Sequence, residues 1–193
     1  MPALTSACKN AAGLRLLNQN SEEMIYSFII SQNNNIPRIK LIISRICEGL
    51  GQRTSSPFGD FYAFPSSSAL AAKEPEYYRS LGAGYRDVFI SDTARRIAAE
   101  GIERLNDLPG DELRRQLLTY KGVGPKVADC KCLFGFGRRD AFPVDTWIEK
   151  LYREDFGGTL TDRNKINAYF TSLFGQFSGY MQQYLFYAKR SNL

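Results

Sequence analysis

Lys126 and Asp145 are the two residues of this chain whose types and settings could share one covalent reaction. Lys126 falls in the first turn of an apolar helix opened by a tight Gly122-Val123-Gly124 turn. Asp145 follows Pro143-Val144 at the expected start of another helix. A neutral amine is a nucleophile, and a carboxylate facing it stabilises the positive charge that grows on a sugar carbon as its substituent leaves. A free lysine titrates near about 10.4, so attack requires that its proton be lost, which desolvation or neighbouring cations promote. Glycine amides beside a helix N-terminus add a place to hold a phosphate.

Each of these residues has a plainer reading. Most lysines are solvated charges on amphipathic helices, aspartate is among the best N-caps, and Gly-x-Gly often makes nothing more than a helix–helix turn. The neighbours shift the balance. Lys126 and Cys130 are four residues apart on one helix face, and Lys121, Lys131, Arg138 and Arg139 put further positive charge near the turn. A phosphate held there would position a nucleic acid without reading its sequence.

Composition removes the main competitors. The chain has no histidine, which excludes Ser-His and Cys-His nucleophile pairs and histidine metal sites together. Cys8, Cys47, Cys130 and Cys132 show no zinc or iron–sulfur spacing, so neither metal nor cofactor is expected. At least three of the four are expected to be small apolar fillers in a reducing compartment. A net charge of +5 suits a polyanionic partner without requiring one. At 193 residues, 44% hydrophobic, the chain can build one substantial core or two lobes. It has no apolar run of membrane-spanning length and no signal-peptide pattern, so a cytosolic or nuclear protein is expected.

The elements that must position these residues are helices. Ser21 is the expected N-cap of a helix with Met24, Ile25, Phe28 and Ile29 on one face. Pro37 suits the first turn of the next, which Gly49 and Gly51 should end. Residues 51–64 read as irregular, with room for a short turn or ribbon. Short helices should start at Pro65-Ser66 and Pro75, and a longer one should run from Arg86 to Glu100 with Gly101 as its stop. Helices on either side of the glycine turn form a helix-hairpin-helix over about 112–134. Helices are then expected at 146–154, capped by Asp145, at 163–174, capped by Asp162, and at about 180–190. The expected fold class is all-α, a single domain over residues 1–193.

Five blocks, GVGPKVADC (122–130), FPVDTW (142–147), SQNNNIPRI (31–39), LGAGYR (81–86) and GYMQQYLF (179–186), occur in one order. In these the chain resembles the helix-hairpin-helix, Gly-Pro-Asp superfamily of DNA glycosylases and, within it, the 8-oxoguanine DNA glycosylase family. The likeness runs from about Gly13 onward. It implies two helical lobes with a cleft into which a damaged nucleotide is turned. It also implies a bifunctional N-glycosylase/AP lyase that removes oxidised purine, 8-oxoguanine opposite cytosine, through a lysine Schiff base and β-elimination.

Carried over position by position, the resemblance makes Lys126 the nucleophile and Asp145 the catalytic carboxylate. Cys130, Gln182 and Phe186 become base-pocket residues, with Gln182 bonding the damaged base and Phe186 stacking on it. Asn33 would fill the vacated space, Arg38 and Arg86 would contact the opposite cytosine, and Tyr85 would wedge beside it. Lys121, Gly122 and Gly124 would hold phosphate. Left to the residues alone, the asparagines are ordinary turn formers and Phe186 a core aromatic.

The chain departs from the family pattern in three places. Tyr120-Lys121 stands where a Leu-Pro pair is usual, and Trp147 where many eukaryotic members have histidine. It also starts just before the first shared helix, without the family's β-rich N-terminal domain, which is therefore expected to be missing or separate. Since that domain supplies the carbonyl that senses the N7 hydrogen of 8-oxoguanine, weakened lesion discrimination is expected. The partner implied is double-stranded DNA with a damaged base, met by a monomer in the nucleoid or the nucleus. Two rival readings are a noncatalytic helix-hairpin-helix DNA-binding module and a helical interaction protein whose basic surface is incidental. The absent cysteine cluster disfavours oxidised pyrimidine as substrate, and an alkylpurine glycosylase would keep the aspartate without needing Lys126.

Overall fold

Short polar side chains set most of the helix starts. The structure, a computed structural model, describes residues 2–191. An N-terminal helix α1 (Pro2–Asn10), which the sequence patterning leaves out, precedes α2 (Ser21–Ser31) and α3 (Ile36–Leu50). The cap of α2 is Asn20 rather than Ser21: Asn20 stays outside the helix and its Oδ1 accepts from Glu23 N at 2.9 Å. Asn35 caps α3 in the same way through Arg38 N at 3.0 Å. Gly49 lies inside α3, and Gly51 alone ends it, donating from its N–H to Cys47 O at 2.7 Å.

Residues 51–64 hold the short ribbon for which the sequence leaves room. It is antiparallel, made of β1 (Arg53–Ser56) and β2 (Gly59–Tyr62), with Arg53 opposite Tyr62 and Ser56 opposite Gly59. Then come α4 (Ser67–Ala71), α5 (Pro75–Ser80), α6 (Asp87–Glu100), α7 (Gly110–Leu118), α8 (Pro125–Phe134), α9 (Thr146–Asp155), α10 (Arg163–Phe174) and α11 (Ser178–Ser191). The fold class is all-α, with the ribbon as its minor part. No helix among the described residues is long and apolar enough to cross a membrane.

The chain divides into two compact units, one of Met1–Gln19 with Gly124–Leu193 and one of Asn20–Val123. In the first, α1 and α9 pack on α11. Its core is aromatic: Phe142 stacks on Phe170 at 4.5 Å between ring centroids, both fully buried, with Val144, Ile148, Ile166 and Leu185 around them. In the second, α4 and α5 pack on α6, and the buried face of α2 supplies Ile25, Tyr26, Ile29 and Ile30. The Tyr26 hydroxyl is satisfied by Ser67 Oγ at 2.5 Å and that of Tyr78 donates to Leu70 O at 2.5 Å. Burial holds both phenols above their usual range.

Truncating the central ring should test the first core directly. Phe170→Ala is expected to cost about 3–5 kcal/mol, read as a lower urea midpoint at unchanged m-value. A loss of a few tenths would mean that the surrounding rings close the gap.

Candidate active site and nucleic-acid interface

Asp145 is held by the backbone that leads to it. Phe142, Pro143 and Val144 are buried, and two of their carbonyls are fastened by side-chain amides. Asn167 Nδ2 on α10 donates to Phe142 O at 2.7 Å, and Gln182 Nε2 on α11 donates to Pro143 O at 3.2 Å. Asp145 then caps α9, its Oδ1 accepting from Trp147 N at 3.0 Å and Ile148 N at 2.9 Å. The carboxylate is half-buried and fixed in direction by these two bonds.

Lys126 lies in the first turn of α8 and is half-buried. Its amine and the thiol of Cys130, one helical turn on, share a hydrogen bond. Complete burial is the main reason the Cys130 thiol is pushed up to about 12. The Lys126 charge opposes that rise, and the carboxylates of Asp129 and Asp145 add to it. The Cys130 thiol therefore feels the charges of both Lys126 and Asp145 within the same unit. Lys131 differs from expectation: it is fully buried, with its ammonium over the Phe136 ring at 5.4 Å, so it adds no surface charge for a phosphate. Cys132 is buried and Cys8 and Cys47 are half-buried. Among the described residues no group of acidic and cysteine side chains could hold a metal ion.

Gln182 is buried. Besides the bond to Pro143 O, its Oε1 accepts from Gln183 Nε2 at 2.5 Å. Phe186, one turn later on α11, is half-buried against the aromatic core, with the Arg190 guanidinium 6.0 Å from its ring. The close seating of α11 depends on Gly179, whose N–H donates to Arg139 O at 2.7 Å. A Cβ there would lie 2.3 Å from Leu133 Cδ1. Gly179, Asn167 and Gln183 escape a search for chemical residue types because they act by positioning. Only the glycine at the head of the GYMQQYLF block hints at a close approach.

The hairpin turn needs its first glycine. Gly122 has φ +80°, and a Cβ on it would meet the Phe89 ring at 2.4 Å. Tyr120 replaces the usual stiffening residues by burial, with the Arg96 guanidinium 4.1 Å from its ring centroid. Gly124 precedes α8 without any side-chain cap, so the first amides of that helix are not claimed by a capping group. Gly124 and Lys121 are exposed.

Asn33 is exposed and is the one non-glycine residue with positive φ, +44°, among the described residues. Arg38 is exposed, donating through Nη2 to Gly82 O at 3.0 Å. Tyr85 is exposed and stands edge-on to Phe89 at 6.0 Å. Arg86, by contrast, is buried: it donates to Gln32 O through Nε at 2.9 Å, to Asn33 O through Nη2 at 3.0 Å and to Ala83 O through Nη1 at 3.0 Å. Its guanidinium also stacks over Tyr85 at 4.4 Å. The four residues named for the opposite strand thus belong to one unit, and the lysine, aspartate and pocket residues to the other.

A hairpin turn ahead of an uncapped helix, with a lysine in that helix and an N-cap aspartate after the next loop, defines the helix-hairpin-helix class of glycosylase fold. No family model matches the sequence. A protein of Methanothermobacter thermautotrophicus described as a probable N-glycosylase/DNA lyase is 33% identical over 213 residues, covering 98% of this chain and 68% of the relative. The N-glycosylase/DNA lyase of Saccharomyces cerevisiae is 34% identical over 158 residues, 75% of this chain and 42% of its own length. The crystal structure of Clostridium acetobutylicum 8-oxoguanine glycosylase/lyase with double-stranded DNA containing cytosine opposite 8-oxoG superposes with a TM-score of 0.93 at 36% identity. That match covers 100% of this chain and 67% of the other. The chain belongs to the N-glycosylase/DNA lyase family, and it spans between about two fifths and two thirds of the length of these relatives.

The buried thiol gives a test of the site's geometry. Cys130 should resist iodoacetamide in the native protein up to pH 9 and react once the protein is unfolded. Because its folded pKa lies above the unfolded one, its contribution to stability is intact below the unfolded value. That contribution is lost as pH rises toward about 12. Cys130→Ala should flatten the alkaline limb of the stability–pH curve. Rapid native alkylation at Cys130 would place the thiol in solvent and contradict the arrangement described.

Proposed function

We propose that this chain is a base-excision repair enzyme, an N-glycosylase/AP lyase that acts on oxidised purine in double-stranded DNA, 8-oxoguanine opposite cytosine. The observation that carries the reading is the grouping of Lys126, Cys130 and Asp145 around the start of α8 and α9. A noncatalytic DNA-binding module would need the hairpin but not that grouping.

The residues divide the reaction between them. Lys126 Nζ, once deprotonated, forms a bond to C1′ of the damaged nucleotide as the glycosidic bond breaks and the base leaves with the electron pair. The half-buried Asp145 carboxylate offsets the positive charge on C1′ and the ring oxygen at that moment. Ring opening gives the Schiff base. Loss of a C2′ proton then expels the 3′ phosphate, and hydrolysis returns the free amine. Gln182 and Phe186 are the pocket residues for the base, and Cys130 lines the wall beside Lys126. The amides after Gly122 and Gly124, with Lys121, hold a phosphate of the backbone. Asn33, Tyr85, Arg38 and Arg86 serve the strand opposite the lesion. The enzyme works as a monomer without a cofactor, at the DNA of nucleoid or nucleus.

Lys126→Gln should abolish the borohydride-trapped adduct and the strand nick on duplexes carrying 8-oxoguanine or an abasic site, while duplex affinity stays within a few-fold. Undiminished trapping by that variant would move the nucleophile elsewhere. Asp145→Asn keeps a capping oxygen, so thermal stability should change little. Without the charge, base release should slow by about two to three orders of magnitude in single-turnover assays. A variant of normal rate would leave Asp145 as a cap alone.

A further inference from the structure

The side chain of Gln32 bridges two segments ninety residues apart. Its Nε2 donates to Gly122 O, at the hairpin turn, over 2.6 Å. Its own backbone carbonyl accepts from the buried Arg86 guanidinium, which also binds the carbonyl of Asn33. Gln32 is the C-cap of α2, and the next residue is the positive-φ, exposed Asn33. A second route joins the same parts. Gly122 rests on Phe89, Phe89 meets Tyr85 edge-on, and Tyr85 lies under Arg86. The turn, the Asn33 loop and Tyr85 thus form a closed ring of contacts within one unit. The Gln32–Gly122 bond ties the loop side of that ring to the turn by a hydrogen bond from a side chain.

We infer that Gln32 is a positioning residue that transmits the pose of the hairpin turn, fixed when a phosphate is bound, to the loop that presents Asn33 to the DNA stack. The inference rests on the DNA-repair reading above. It follows from the geometry because a half-buried amide–carbonyl bond fixes two backbone segments in register, and a residue held at φ +44° keeps that pose only while its surroundings over-determine it. Gln32 itself does no chemistry and acts through Asn33.

The test uses the whole chain and a duplex with a tetrahydrofuran abasic analogue facing 2-aminopurine, alongside an undamaged duplex. Gln32→Met removes the donor at similar volume. It should leave affinity for undamaged duplex within twofold, lower the preference for the abasic duplex about tenfold, and reduce the 2-aminopurine signal. Gln32→Lys, which restores a donor, should recover part of both. In an Asn33→Ala background, Gln32→Met should have no further effect, because the two act in series. Multiplying penalties, or an equal loss on both duplexes, would overturn the inference.

Hydrogen exchange of the free protein supplies a readout that a failed DNA assay does not remove. Gln32→Met should speed exchange at both residues 31–35 and 120–124, and unchanged protection there refutes the bridge. If wild-type protein shows no preference for the abasic duplex while exchange responds, the repair reading fails and the bridge stands as a structural contact only, without the role inferred for it.

Discussion

The left-handed backbone of Gly122 is the constraint on which the arrangement turns. The turn that follows α7 requires one residue at positive φ, and Phe89 fills the space any side chain would need. Two residues after the turn's glycine, Gly124 gives way to α8 at Pro125, whose missing N–H costs nothing in a first turn. Lys126 then falls one residue into the helix, where it is half-buried rather than solvated. Moving the turn by one residue would rotate the amine about 100° around α8, away from the face it shares with Cys130. The same glycine offers its carbonyl to Gln32, so one conformational requirement serves both the register of Lys126 on α8 and the loop that carries Asn33.

Burial sets the electrical character of the site. A fully buried thiol beside a lysine stays neutral because removing its hydration outweighs the attraction of one cation, more so with two carboxylates in range. Asp145, half-buried, is tied by the two backbone amides that it caps. The aspartate's direction is a product of packing. Phe142 and Val144 are locked in the aromatic core, and the carbonyls of Phe142 and Pro143 are pinned by Asn167 and Gln182. The carboxylate is thus oriented during folding and not afterwards.

Much of this was legible in the sequence. Apolar periodicity located α2, α3, α6, α8 and α10 to within a residue or two. Asp145 and Asp162 were recognisable as caps because a short acceptor before a helix has few other uses. The misses have physical causes. Asn20 and Ser21 are both good caps, and only the extended backbone of Asn20 decides between them. The helix α1 carries no cap signature, and its support is tertiary, from α11. The ribbon allowed for within 51–64 is present, but its strand bounds are not legible, because it is almost wholly exposed and shows no alternation of apolar residues. At the site, Lys126, Asp145 and the glycine turn stood out by type and spacing. Gln32, Asn167 and Gln183 did not, since amides that tie one backbone segment to another look like any other polar residue. Lys131 misled because its sequence position suggests a surface cation while its side chain is wholly enclosed.

Arg86 and Gln182 show how the protein satisfies polar groups that it buries. The Arg86 guanidinium is satisfied by three backbone carbonyls, and both ends of the Gln182 amide are occupied. An unpaired buried guanidinium or amide would cost about 1–3 kcal/mol or more. Pairing them internally removes that cost, and any new contact they make must be gained by exchange. The net gain per exchanged bond is small, but the penalty for an exchange that leaves a donor without an acceptor is large. Groups arranged in this way discriminate against ill-matched partners more strongly than they attract well-matched ones.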